Sequence, residues 1–225
     1  VQVEVVAQAF LVNSDSLSFV ILRVDQTINE FLRNKALEVL KTLVHTRNDE
    51  LKKIIAFQRG YEILIKIVMN EGGLSGTVIA EDCLDTLEQL VSGSIFQKTF
   101  LIETNLASTL LAILSNQDFQ GNQKPLKYRL VEKVLVFLAR CFEFRPVDYL
   151  SRAAVIRDLQ SYFGSQLIIW LISLLFQSGE ERLSDNVQRN VYNLLSYLIL
   201  ENTHHKETIE GCELKPVQCL LEQDV

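Results

Sequence analysis

The chain is predicted to be all-α, a stack of repeated helical groups, on three observations. Only 3 of its 225 residues are proline and 9 are glycine, too few for a chain built on turns and strands. Apolar residues recur at three- and four-residue steps over long stretches, the spacing that gathers them on one face of a helix. The third observation is repetition. A long helix, a short one and one of middle length follow each other, and then the grouping begins again.

The segment from Gln2 to Arg23 reads as the end of an earlier repeat. From Ile28 onward Phe31, Leu32, Ala36, Val39, Leu40 and Leu43 form an apolar stripe on a long helix. Asn29, Glu30, Arg33, Glu38 and Lys41 are expected mainly on its opposite, solvated side. After His45 to Asn48 a short helix (Glu50 to Phe57) and another (Tyr61 to Met69) complete the group. The loop Glu71 to Gly76 follows, expected as a helix C-cap and a flexible turn. The next group opens on Ile79, Cys83, Leu87 and Leu90 and continues with Phe96 to Ile102 and Leu106 to Leu114. A third runs through Leu130 to Phe142, Ser151 to Tyr162 and Gln166 to Phe176. The fourth starts at Val187, Val191, Leu194, Leu195 and Leu198 and ends, past Gly211, with Pro216 to Glu222.

On the long helices Leu37, Leu84, Leu135 and Val191 fall in register, at steps of 47, 51 and 56 residues. Armadillo and HEAT repeats recur at about 40–47 residues. The excess falls in the loops Ser115 to Pro125 and Ser178 to Asp185, where added length costs little chain entropy. The expected fold is an armadillo/HEAT-type right-handed α-solenoid of about four repeats, a single domain over residues 1–225. Its repeats are set at 28–70, 77–115, 127–177 and 185–222, with a partial one at 1–24. In such a fold each repeat hides apolar faces against its neighbours. The helix Leu130 to Phe142, apolar almost all round, has the composition of one covered on both sides.

Composition narrows the function. With 48% hydrophobic residues the chain can fold around a core. Its 22 basic and 28 acidic residues leave a net charge of −6, whereas a nucleic-acid reader needs a basic surface to replace phosphate counterions. The basic clusters Lys52–Lys53 and Lys124, Lys127 and Arg129 are read as solvated helix ends. The longest apolar run, Leu167 to Phe176, falls well short of the ~20 residues of a membrane-spanning helix, so any membrane contact is expected to be peripheral. No signal peptide can be read, and a start at Val1 without Met points to a piece of a longer protein.

The residues that could carry chemistry point elsewhere. Cys83 and Cys141 lie in apolar helical patterns and read as small buried hydrophobes. Cys212 and Cys219, with His204 and His205 upstream, lack the paired spacing of a zinc site. No disulfide framework is visible, which favours a reducing compartment. The loop Gly72-Gly73-Leu74-Ser75-Gly76 lacks a phosphate loop's lysine, because Thr77 stands there and a helix rather than a strand precedes. Glu81 and Asp82 diverge as helix neighbours and suit the positive end of a helix dipole. Trp170 reads as a core residue, so the Trp–Asn peptide ladder of nuclear-import armadillo proteins is not expected. No catalytic, cofactor-binding or metal-binding residue is assigned, and the chain is not read as an enzyme.

Leu32-Arg33-Asn34-Lys35-Ala36-Leu37, followed by Lys53-Ile54-Ile55-Ala56-Phe57, resembles the helix-to-helix passage of the general vesicular transport factor family. The likeness continues through Tyr61 to Met69, the acidic loop with Gly72, Gly73 and Gly76, and the helix carrying Glu81, Asp82, Cys83 and Leu84. Ser94 to Phe100 extends it through Gln97 and its phenylalanines, without the family's asparagines. It covers residues 30 to 114, and beyond Ser115 the likeness is of architecture alone. The resemblance implies the armadillo head of a vesicle tether of ER-to-Golgi and intra-Golgi transport, cytoplasmic and peripheral at Golgi and transport-vesicle membranes. It further implies protein partners (a Rab-type GTPase, other tethering factors, SNAREs), no nucleic acid, no cofactor, and a parent chain that dimerises through a coiled coil. No sustained heptad pattern of that kind occurs here. The partner-binding residues stay unknown, and the alternative is an armadillo/HEAT scaffold binding a peptide or protein outside membrane traffic.

Overall fold

A computed structural model describes residues 2–25, 29–46, 48–104, 128–142, 168–172, 174–175 and 184–199. Among them every regular element is helical. The chain divides into two compact units, Val1–Phe144 and Arg145–Val225. The first holds α1 (Gln2–Val12), α2 (Ser14–Val24), α3 (Glu30–Val44), α4 (Asp49–Phe57) and α5 (Gly60–Asn70). A single 3-10 turn, Gly73–Ser75, then leads to α6 (Val78–Val91), α7 (Ile95–Glu103) and α8 (Tyr128–Phe142). The second unit holds α9 (Asp185–Ile199) and the helical residues 168–172 and 174–175. Leu106 to Leu114, Ser151 to Tyr162, Pro216 to Glu222, the loop Ser115 to Pro125, His204, His205, Cys212 and Cys219 lie outside the described residues.

Helix ends follow from local chemistry. The Asn29 side chain accepts from Leu32 N at 3.0 Å and opens α3, and Asn48 accepts from Glu50 N and Leu51 N at 3.1 Å to open α4. Each asparagine satisfies amides that the first turn leaves without a partner, an effect worth about 1 kcal/mol. Between α4 and α5 the chain reverses through Arg59, in the left-handed region at φ 64°, and Gly60. A Cβ on Gly60 would stand 2.4 Å from Ile55 Cγ2 and 2.7 Å from its carbonyl oxygen, so only glycine allows this approach.

Packing in the first unit is built on three long helices. α6 packs against α3 on one side and α8 on the other, α5 packs against α6, and α2 packs against α3. Leu37, Leu84 and Leu135, the residues expected in register, are all buried on these three helices. Around them Leu40, Leu43, Leu64, Ile65, Leu87, Leu90, Val131 and Leu138 are buried as well. Each such side chain contributes about 1.5–3 kcal/mol by leaving water. In the second unit Val187, Val191, Leu194 and Leu195 of α9 are buried, and so are Ile168, Trp170 and Leu171.

Two details depart from the expected faces. On α3 the buried set is Arg33, Ala36, Leu37, Leu40, Leu43 and Val44, while Phe31, Leu32 and Val39 are exposed. The stripe is rotated because Arg33 turns inward, where Glu71 supplies the opposite charge at 2.9 Å. On α4 Lys52 is buried beside Leu51, Ile55 and Ala56 rather than solvated. Its stem packs with the apolar face, and its ammonium meets main-chain carbonyls of the next group.

Candidate functional site

The loop after α5 is tied down. Gly72 (φ 99°) and Gly73 (φ 58°) take left-handed conformations that favour glycine, and Leu74 is fully buried beneath the turn. Gly76 is equally confined, since a Cβ there would lie 2.8 Å from the carbonyl oxygens of Glu71 and Gly73. Glu71 grips both ends of the joint, accepting from Arg33 at 2.9 Å and from the Thr77 hydroxyl at 2.6 Å. The turn expected to be flexible is therefore pinned on both flanks. A carboxylate paired with Arg33, rather than a free lysine, stands beside the glycines.

Glu81 and Asp82 do not cap α6 by hydrogen bonding. The residue before the helix is Thr77, and no side chain closes that end. The acids of α6 reach sideways instead. Glu81 meets Arg129 at 2.9 Å, Asp82 meets Lys41 at 2.5 Å, Asp85 pairs with Lys133 and lies 3.7 Å from Lys41, and Glu88 meets Arg140 at 3.1 Å. Lys41 comes from α3, and Arg129, Lys133 and Arg140 come from α8, so the acidic edge of α6 is laced to both neighbours. The Lys41 ammonium is held above its ordinary range, chiefly by its hydrogen bond to Asp82. Half-exposed pairs of this kind contribute about 0–1 kcal/mol each. Their larger effect is to fix the register of the stacked helices, and they leave no carboxylate of this row free for acid–base work.

The nucleophiles are equally withdrawn. Cys83 and Cys141 are free and buried. Burial pushes the Cys141 thiol up to about 12, and the Cys83 thiol is raised further still by burial. Both are therefore neutral and inert at physiological pH. Leu84, next to Cys83, is also buried. Nδ1 of His45 lies 2.7 Å from the Lys41 carbonyl, on its own helix. Among the described residues no group of His, Cys, Asp and Glu could hold a metal ion.

What stays available is apolar surface. Phe57 is 66% exposed, and its ring lies 5.7 Å from both Phe96 and Phe100 of α7. The Lys53 ammonium lies 5.7 Å from the centre of the Phe96 ring. Beneath them Tyr61 is fully buried, with its hydroxyl donating to Gln97 Oε1 at 3.0 Å. Aromatic groups backed by a rigid floor are the usual anchors of protein–protein contacts. Phe31, Leu32 and Val39 of α3 and Phe19 and Leu22 of α2 add further exposed apolar area.

Parts of this chain resemble known proteins. No protein-family model matches the chain. Over 88 residues it is 28% identical to the intracellular protein transport protein USO1 of Saccharomyces cerevisiae, covering 39% of this chain and 5% of that protein. Over 74 residues it is 32% identical to the general vesicular transport factor p115 of Bos taurus, covering 33% of this chain and 8% of that protein. A crystal structure of Uso1 matches with a TM-score of 0.74 at 19% identity, over 90% of this chain and 29% of that one. The homologues of this chain are vesicular transport factors. The p115 and USO1 proteins are many times longer than the stretch they share with it, and the structural likeness concerns the fold. That fold is the all-α, armadillo-type solenoid expected from the repeat spacing.

In this chain the stretch from Gly72 to Leu84 forms the joint between α5 and α6. The geometry brings Glu71, the glycines and Arg33 together and points Glu81 and Asp82 to different helices. Arg33, which holds the joint, and Lys52, which closes the far end of α6, were expected in solvent. A signal for both was present: each stands three and four residues before a buried pair, Ala36–Leu37 and Ile55–Ala56.

Proposed function

We propose that this chain is a protein-binding head segment of a vesicle tethering factor, acting in ER-to-Golgi and intra-Golgi transport. The observation that carries this reading is its sequence likeness to p115 and USO1, with the Uso1 fold alongside. The site agrees with a binding role: thiols are buried, the acids of α6 are paired, and aromatic rings face outward. In this reading the stacked helices form a stiff support, and a Rab-type GTPase, other tethering factors and SNAREs dock on its exposed patches. The parent protein dimerises through a coiled coil and works at the cytoplasmic face of Golgi and vesicle membranes. Among the described residues no single helix is long and apolar enough to cross a membrane, which suits peripheral attachment.

The experiment is a binding assay of the purified chain against Rab GTPases of the early secretory pathway, each loaded with a GTP analogue or with GDP. Binding that needs the GTP form is expected, and Phe57→Ser should weaken it by about tenfold or more if Phe57 is an anchor. A chain that melts cooperatively yet shows no nucleotide-dependent partner would favour a scaffold outside membrane traffic.

A further inference from the structure

Lysine is almost never fully buried unless its ammonium is paired. Among the described residues two lysines are buried, Lys52 at 3% and Lys98 at 4% exposure. They hold the same place in successive groups. The short helices α4 (Asp49–Phe57) and α7 (Ile95–Glu103) are each nine residues long, and the lysine is the fourth residue of both. Each lysine follows a fully buried neighbour, Leu51 or Gln97, and precedes another buried residue one turn on, Ile55 or Leu101.

Lys52 finds its acceptors one group further along the stack. Its ammonium lies 2.6 Å from the Gln89 carbonyl oxygen and 3.3 Å from that of Ser92, at the end of α6. The last carbonyls of a helix have no partner within it and carry partial negative charge, so a cation brought there satisfies both groups. In the following group α8 takes the place of α6. With Leu84 and Leu135 in register, Gln89 and Arg140 correspond, each five residues beyond. A separate observation brings Lys98 to that turn. Burial pushes the Cys141 thiol up, and the Lys98 ammonium opposes that rise, so the field of the cation reaches the last turn of α8.

We propose that Lys98 closes the last turn of α8 as Lys52 closes that of α6, donating to the main-chain carbonyl of Arg140. The short helix of each group then holds a buried lysine lock on the long helix of the next. The same short helices carry the ring cluster, Phe57 on α4 and Phe96 and Phe100 on α7. The two locks fix that cluster to the ends of α6 and α8, and shifting it means opening a helix end. This assignment is independent of the tethering reading.

The test is hydrogen exchange of the whole chain, read by mass spectrometry at the two helix ends. Lys98→Met keeps most of the apolar stem and removes the donor. The amides of Leu138–Cys141 should then exchange about tenfold faster, with those of Leu87–Leu90 unchanged. Lys52→Met should do the reverse. The native chain supplies a second reading that needs no variant: nuclear Overhauser contacts are expected from the Lys98 ε-methylene to the α-protons of Arg140 and Cys141. The proposal is overturned if Lys98→Met leaves Leu138–Cys141 exchanging as in the native chain, if it speeds both helix ends equally, or if the Overhauser contacts join Lys98 to a different element.

Discussion

Lys52 on α4 donates its ammonium to the main-chain carbonyl of Gln89, 2.6 Å away at the end of α6, and lies 3.3 Å from the carbonyl of Ser92. The lysine is 3% exposed, so the last turn of α6 is closed by a cation from another helical group. Carbonyls at a helix C-terminus carry partial negative charge and have no partner within the helix. Lys52→Met keeps most of the apolar stem and removes the donor. It should lower the unfolding free energy by about 1–3 kcal/mol, read from urea denaturation, because buried carbonyls lose their partner. A Met variant as stable as the native chain would show that water or a neighbour replaces the ammonium at no cost.

The α4–α5 reversal makes a second prediction, with opposite signs at adjacent residues. Gly60→Ala drives a Cβ against the Ile55 carbonyl and should cost at least about 2 kcal/mol. Arg59→Gly should leave the thermal midpoint unchanged or raise it, since glycine occupies the left-handed region freely. Equal melting temperatures for Gly60→Ala and the native protein would mean that α4 and α5 can separate without loss.

These residues also show what the sequence could convey. Long helices were legible because apolar residues at Leu37, Leu40 and Leu43, or Leu84, Leu87 and Leu90, are buried at helical spacing. Side-chain polarity misled where a charge sits inside that spacing. Arg33 and Lys52 were assigned to water because they are charged, yet each occupies a buried position with a partner far along the chain, Glu71 or Gln89. The same limit applied to Glu81 and Asp82. Their place in the first turns of α6 invited a helix-end role, and nothing local revealed that Lys41 and Arg129 would be opposite them. Pairings across repeats depend on the stack, and only the stack displays them.

Alkaline pH should destabilise the fold. Burial raises the Cys83, Cys141 and Tyr61 groups, favouring their protonated, neutral forms in the native state. Unfolded thiols ionise from an ordinary value of 9.0, whereas native Cys141 holds its proton to about 12. Between those values the native state binds more protons than the unfolded one, so stability falls as pH rises, by about 1.4 kcal/mol per pH unit per thiol. Lys41, raised by Asp82, acts in the same direction, its contribution complete below 10.5 and lost as pH passes its native value. Chemical denaturation at pH 7, 9 and 10.5 measures this. A flat profile above pH 9 would mean that the thiols reach water in the native state. Peptide mapping after alkylation at pH 8 provides a site-specific check, with Cys83 and Cys141 expected to react only in denaturant.

Arg33 and Glu71 offer the sharpest test of the joint itself. Their side chains are 11% and 17% exposed and 2.9 Å apart, and Glu71 also receives the Thr77 hydroxyl. Removing one partner leaves a largely buried charge facing none, so Glu71→Ala and Arg33→Ala should each cost about 3 kcal/mol or more. The double variant should be less destabilised than the sum, because no charge is then stranded, and a thermodynamic cycle isolates the coupling. A coupling near zero would mean that the two residues act separately, Arg33 through its packed stem and Glu71 through Thr77. A coupling above about 1 kcal/mol would identify the pair as the tie that holds the glycine turn against α3 and turns Phe31 outward.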